Sequence, residues 1–282
     1  MRHCPYCGTG GHLYQTTSSA SFIRCSRCDL IYRERPASRD AVTQHYRNDY
    51  FERYHDDALN RQRGRLFARI LDSLERSCRT GSLLDVGTGS GVFLREASRR
   101  GWGVRGIEPS RQSVALARRR YGLDIFHGTL KDYTGIVDFD VATFINVLDH
   151  AVEPWMEIER GIRLLKPGGL LFLRFPHARF HFSLYKAAQR LNLHRFIAPL
   201  LVFHEYSFTP EFITTVLSHQ GCTDIVAGNA PLSGESLRRR SPLYSAVVVL
   251  MGGFERATRM LFGQRFLWGP SLEVTARKGD TA

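Results

Sequence analysis

The sequence predicts an α/β protein, an open doubly wound sheet with a small metal-stapled ribbon ahead of it. Three observations carry this. From residue 81 onward, short apolar runs alternate with amphipathic stretches in the order strand, helix, strand. A glycine turn, Gly87-Thr88-Gly89-Ser90-Gly91, joins the first of those strands to the first of those helices. Two CxxC pairs stand near the N-terminal end. The expected organisation is a ribbon over 1–35, a helical linker over 36–80, and an α/β domain over 81–282. That domain carries helical insertions near 178–203 and 240–264.

The ribbon comes first. Cys4-Pro5-Tyr6-Cys7 and Cys25-Ser26-Arg27-Cys28 each bend two thiols to one side of a tight turn, and two such turns close a tetrahedron around zinc. Gly8 follows the first pair, where such a turn favours positive φ. His12-Leu13-Tyr14 and Ser21-Phe22-Ile23-Arg24 read as a hairpin between the pairs. So short a segment cannot bury a core of its own, so the metal would supply its folding energy. A redox pair would need only one CxxC beside a βαβ unit. Four thiolates leave no open position, so Cys4, Cys7, Cys25 and Cys28 are expected to hold a structural zinc. Cys78 and Cys222 are read as packing residues.

In the linker, Ser38 is placed to cap a helix through Val42 and Tyr46, ahead of the aromatic run His45–Phe51. A second helix, about 59–78, lines up Leu59, Leu66, Phe67, Ile70, Leu71 and Leu74 on one side. Its arginines, including Arg61, Arg65, Arg69 and Arg76, fall mostly on the other, a solvated face or a contact for an anionic substrate.

Ser82–Val86 is the first strand of the α/β domain, Val92–Arg100 the helix, and Gly103–Ile107 the second strand, ending at Glu108. In a dinucleotide fingerprint the third glycine would fall at Val92, and it does not. Asp85, at the end of the first strand, is ill suited to a pyrophosphate and suited to a cationic group. Glu108 stands where an acid can accept hydrogen bonds from both ribose hydroxyls. The ligand these residues describe is a nucleoside without phosphates that carries a positive charge.

Five strings, in order, here resemble the class I S-adenosylmethionine-dependent methyltransferases: LLDVGTGSGVFL (83–94), GIEPS (106–110), FDVATFINVLDHAVEP (139–154), LLKPGGLLFLRFPH (164–177) and HEYSFTPEFITTVLSHQGC (204–222). The resemblance implies a Rossmann-like, seven-stranded doubly wound sheet. It implies that Asp85 orients the methionine end and that Gly87, Thr88, Gly89 and Gly91 form the cofactor turn. It implies that Glu108 binds the ribose, that Pro109 and Ser110 flank the adenosine, and that the turn Gly128-Thr129-Leu130 lies along the adenine. Many relatives carry an acid at position 129, so the adenine contact here is expected from backbone. With its CxxC ribbon, the chain resembles a bacterial subgroup linked to sugar, antibiotic or surface-polymer biosynthesis.

Catalytic groups are sought at the carboxyl ends of strands, where open α/β sheets bind ligands. Asn146 and His150 follow the fourth strand, close to the transferred methyl. His177 follows the fifth. His204 lies in a loop over the expected cleft, beside Glu205, which is placed to orient its ring. His204, His150 and Glu205 are the candidate catalytic residues, with capping of the helix 152–165 as the alternative for His150. The insertion 178–203 is expected to be a helical lid over the acceptor pocket, or else core packing.

At the C-terminal end, Thr223–Ala227 and Leu272–Ala276 read as the last two strands, separated by the Arg238-Arg239-Arg240 run and an apolar helix over about 243–261. That helix is expected to dimerise, pack on the domain, or rest on an anionic membrane surface.

The chain has 282 residues, 43% of them hydrophobic and 23% charged, which argues against wholesale disorder. No apolar run is long enough to span a membrane and no secretion signal is visible, so a cytoplasmic location is expected, where thiols stay reduced. The net charge of +12 suits a solvated basic surface or an anionic partner. The function expected is methyl transfer from S-adenosylmethionine to a small-molecule acceptor: a sugar, polyketide or lipid-linked intermediate. The alternatives are an RNA methyltransferase using the ribbon and the basic surface, and a non-catalytic binding module of the same fold.

Overall fold

The parallel strands of the sheet are nearly continuous apolar runs, and the fold follows from burying both of their faces. The computed structural model describes residues 3–35, 57–230, Gly253 and 267–280, with the backbone alone for 57–62. Ser38, the aromatic run 45–51, the Arg238–Arg240 run and the helix expected at 243–261 lie outside the described residues.

Two sheets are present. The smaller begins with β1 (Gly11–Thr16), β2 (Ser21–Cys25) and β3 (Ile31–Arg33). The larger has seven strands. These are β4 (Ser82–Val86), β5 (Gly103–Glu108), β6 (Ile125–His127), β7 (Phe139–Ile145), β8 (Leu165–Pro176), β10 (Cys222–Asn229) and β11 (Ser271–Lys278). Their spatial order is β10-β11-β8-β7-β4-β5-β6. From β4 the chain winds outward to β5 and β6, then returns to β7 on the other side of β4, so strand order reverses at β4. In open α/β sheets ligands bind at that reversal, beyond the carboxyl ends of the strands. β11 slots antiparallel between β8 and β10.

Leu83, Leu84, Asp85 and Val86 are all buried, as a central parallel strand covered on both faces requires. The helix α1 (Asp57–Ser77) covers one face. Leu66, Ile70, Leu71 and Leu74 turn inward, while Arg65, Arg69 and Arg76 are exposed. It packs on α2 (Val92–Arg99) through Phe67 and Phe93, whose ring centroids are 5.4 Å apart. The helix α3 (Arg111–Tyr121) starts at Ser110, whose Oγ accepts from the Ser113 amide, and stops at Gly122 in the left-handed region. On the other face lie α4 (Pro154–Arg163) and a later helix, α7 (Pro210–His219).

The ribbon is sutured to the large domain. β3 pairs antiparallel with β9 (Tyr206–Ser207), which completes the small sheet in the order β1-β2-β3-β9. Tyr6 packs against Trp155 and Phe212 of the large domain, and its hydroxyl lies 2.9 Å from His219 Nδ1. The insertion 178–203, expected as a lid or as core packing, packs on the ribbon. Phe182, in α5 (Ala178–Arg190), meets Tyr14 and Phe22, and Gln189 pairs with Gln15. A short helix α6 (His194–Ile197) follows it. The physical reason is burial: the ribbon's apolar face has too few residues of its own to cover it.

Candidate active site

The glycine turn is held by its acidic partner. Glu108 is buried at the end of β5, where one carboxylate oxygen accepts from the Gly89 amide at 2.8 Å and the other from the Ser110 amide at 2.8 Å. Two charge-assisted bonds thus lock the turn after β4 to the turn after β5. Burial raises the Glu108 carboxyl above its ordinary range, partly opposed by the two amides. Asp85 is buried at 3% exposure and accepts from the Thr143 hydroxyl at 2.7 Å. Burial pushes its carboxyl up to about 7, with Glu108 adding to the rise. A buried carboxylate so poised is completed by a cationic group.

Gly87, Gly89 and Gly91 all have positive φ, at 72°, 55° and 77°. A Cβ on Gly91 would come within 2.6 Å of Leu123, whereas one on Gly89 would meet open space. Gly91 therefore serves packing, whereas Gly89 has open space beside it.

A cavity of about 300 Å³ opens at the carboxyl ends of β4, β5 and β7. Gly87, Glu108, Pro109, Thr129, Leu130 and Asn146 line it, together with His150. Of the other predicted cofactor contacts, Asp85, Thr88, Gly91 and Ser110 are buried behind this wall, while Gly89 is half-buried with open space beside it and does not line the cavity. Ser110 is wholly buried as the cap of α3. The Thr129 hydroxyl is taken up by Asp132 at 2.6 Å, which leaves the backbone of the Gly128–Leu130 turn to face the cavity. Asn146 sits at φ 56° and its Oδ1 accepts from Arg174 at 2.6 Å, so Arg174 holds it at the cavity wall.

His150, in the cavity wall, meets His204, which stands behind it and does not itself line the cavity; their ring centroids are 4.2 Å apart. His150 ends a 3-10 turn, Leu148–His150. It does not cap the following helix, which starts at Pro154 behind Glu153. The residue that orients His204 is Asp149, not Glu205. Asp149 Oδ2 lies 3.2 Å from His204 Nε2 and 3.6 Å from His150 Nε2. Glu205 is drawn away by Arg33, whose guanidinium lies 3.4 Å from its carboxylate. Asp149 was legible only as a neighbour of His150 in the string 139–154. Burial pushes His204 down to about 4 despite Asp149, so its ring is neutral at pH 7. His177 is tied to the Gly269 carbonyl at 3.1 Å and holds β8 to the segment 267–270, which makes it structural.

The four ribbon thiols converge. Cys4 and Cys28 sulfurs are 3.5 Å apart, Cys7 and Cys25 3.5 Å, and Cys7 and Cys28 3.7 Å. A tetrahedron with metal–sulfur bonds of about 2.3 Å has edges of about 3.8 Å. The residues after the two pairs, Gly8 and Asp29, both lie in the left-handed region, at φ 71° and 66°. Asp29 adopts it with its carboxylate held by Arg24 at 2.5 Å and Arg179 at 3.3 Å.

Residues 44–226 match the profile of a family described as a methyltransferase domain. The ubiquinone biosynthesis O-methyltransferase of Pseudomonas paraeruginosa is 33% identical over 102 residues, covering 33% of this chain and 43% of that one. Its Schizosaccharomyces pombe counterpart is 31% identical over 108 residues, covering 35% and 39%. The matched stretch thus spans about two fifths of the length of these relatives. Among solved structures, the magnesium protoporphyrin IX methyltransferase of Synechocystis with bound SAH superposes with a TM-score of 0.58 at 13% identity, covering 86% of this chain and 100% of that one. A SAM-dependent methyltransferase from Thermotoga maritima superposes at 0.54 and 16%, covering 84% and 98%. At these identities the structural likeness is one of fold.

Proposed function

Given that the chain belongs to the methyltransferase-domain family, we propose that it transfers the methyl group of S-adenosylmethionine to a small-molecule acceptor. The observation that carries this reading is the cavity that runs from Glu108 to His150, with the buried Asp85 behind the glycine turn. When bound, S-adenosylmethionine supplies a methyl already activated on a sulfonium. The residues fit it: Glu108 reaches the cavity for a ribose, the Gly128–Leu130 backbone flanks a base, and Asp85 suits a cationic end.

An in-line displacement asks the protein chiefly to align acceptor and methyl. Asn146, held by Arg174, and His150 line the end of the cavity where the acceptor would stand. An acceptor that must lose a proton needs a base within reach. His204 and His150 fill that role, and the Asp149 carboxylate steadies both rings and a positive charge developing on them. Glu205 acts indirectly, by anchoring the His204 loop to the ribbon.

The same reading takes Cys4, Cys7, Cys25 and Cys28 as a closed structural zinc site. No helix among the described residues is long and apolar enough to cross a membrane. The test has two parts. Calorimetry should show S-adenosylmethionine binding, weakened by Glu108→Gln. Labelled cofactor incubated with a metabolite extract should then transfer its methyl to a small molecule. An affinity for RNA that falls steeply with salt, with label in RNA, would overturn the acceptor class.

A further inference from the structure

The Asp149, His150 and His204 side chains form a second ligating cluster, unlike the ribbon in kind. Their donor atoms all lie within 4.8 Å of one another. One Asp149 oxygen, Oδ2, stands 3.2 Å from His204 Nε2 and 3.6 Å from His150 Nε2. The other, Oδ1, is buried without a hydrogen-bond partner among the described residues, and Asp149 is 3% exposed. A carboxylate buried so completely, with one oxygen unsatisfied, calls for a positive charge. Ligands placed about 2.1 Å from one cation sit about 3.0–3.5 Å apart. The Asp149–His204 contact at 3.2 Å already has that spacing, and the Asp149–His150 contact at 3.6 Å nearly has it. The two ring nitrogens, within 4.8 Å of one another, would draw together on the cation. Two imidazoles and one carboxylate, with further positions open, suit a divalent first-row transition ion. The rings cross at 69°, so they do not stack face to face.

We infer that Asp149, His150 and His204 form a site for a divalent first-row transition cation, with its open coordination positions toward the cavity that His150 lines. The ribbon offers four sulfurs in a closed set, whereas this cluster offers two nitrogens and an oxygen in an open one. The ligand that completes it is an oxygen donor, a hydroxyl or a carboxylate, of the acceptor. That last step rests on the proposed function; the cation site itself does not. Cation and proton compete for the same imidazole nitrogens, so with a cation bound the two histidines hold it and the role of base proposed for them applies only to the cation-free protein.

The test uses the full chain with the ribbon's one equivalent of zinc verified by elemental analysis. Cobalt(II) alone is titrated in by calorimetry, without cofactor or acceptor. The expected result is one further equivalent bound, with a visible spectrum free of sulfur-to-metal charge transfer. Asp149→Asn and His204→Gln should each weaken binding by at least ~10-fold while the ribbon zinc is retained. His150→Gln, at the cavity wall, keeps the test decisive should Asp149→Asn fail to fold. Uptake that stops at the ribbon's equivalent, or variants that bind cobalt as the parent does, would overturn the site. S-adenosylmethionine binding is titrated separately. Its absence with cobalt uptake intact sinks the methyl-transfer reading and leaves the cation site standing.

Discussion

Arg33, the last residue of the ribbon's third strand, grips Glu205 twice. Its backbone N–H donates to the Glu205 carbonyl at 2.9 Å, and its guanidinium lies 3.4 Å from the carboxylate. The next residue along the main domain's strand, Tyr206, pairs with Tyr32, and the preceding one is His204. The ribbon therefore sets the position of a residue at the candidate active site.

Removing the ribbon metal should consequently loosen the His204 loop. Chelation, or Cys28→Ser, is expected to remove the bound zinc, raise deuterium uptake across residues 204–208, and lower methyl transfer together with it. Arg33→Ala should keep the zinc and cost only about 0.5 kcal/mol of stability, as partly exposed ion pairs do. Unchanged exchange at 204–208 after chelation would show that β9 holds itself.

If Asp85 receives the cationic end of the cofactor as proposed, cofactor affinity should depend on pH. Its folded carboxyl titrates near 7, and a cationic ligand prefers it charged. Below pH 7 binding must expel a proton, so affinity should fall about 10-fold per pH unit, and above pH 7 it should level off. Calorimetry in buffers of different ionisation enthalpy reads the proton released. Asp85→Asn should bind weakly with a flat profile.

The glycines of the turn should separate stability from binding. Gly91→Ala drives a Cβ to 2.6 Å from Leu123 at φ 77°, and should cost about 2–3 kcal/mol in urea unfolding. Gly89→Ala meets open space at φ 55° and should cost about 1 kcal/mol, yet weaken S-adenosylmethionine more than Gly91→Ala does. Equal losses of stability would contradict these roles.

Two histidines should make the fold sensitive to acid. Burial pushes His177 and His181 down to about 4. Between pH 6.5 and 4 the unfolded chain then binds more protons than the folded one. Their contribution is therefore complete above pH 6.5 and is lost as pH falls toward 4, up to about 3 kcal/mol each. Asp85 acts in the opposite sense over an overlapping range, since its folded carboxyl is raised. The melting temperature should fall across pH 6.5 to 4, and His181→Gln should flatten that slope while lowering stability at pH 7.

Much of this is legible in the sequence. Local periodicity placed β4, α2 and β5 to within a residue or two, because central strands and amphipathic helices write their burial into consecutive positions. The CxxC spacing announced the thiol cluster, since a turn that short admits little else. Asp85, the glycine turn and Glu108 described a site for a cationic nucleoside because backbone geometry and charge there are set within a few residues.

Tertiary structure decided what depends on residues far apart in the chain. It gave Asp149 the place of partner to His204, diverted Glu205 to Arg33, and turned the 178–203 segment onto the ribbon. It also put Ser110 and Gly91 behind the cavity wall, one capping a helix and the other making room for Leu123. The physical reason is common to all of these. Periodicity and spacing record a residue's own burial and backbone, whereas the identity of a side chain's partner is settled only when separate elements pack and compete for the same charges and the same apolar surface.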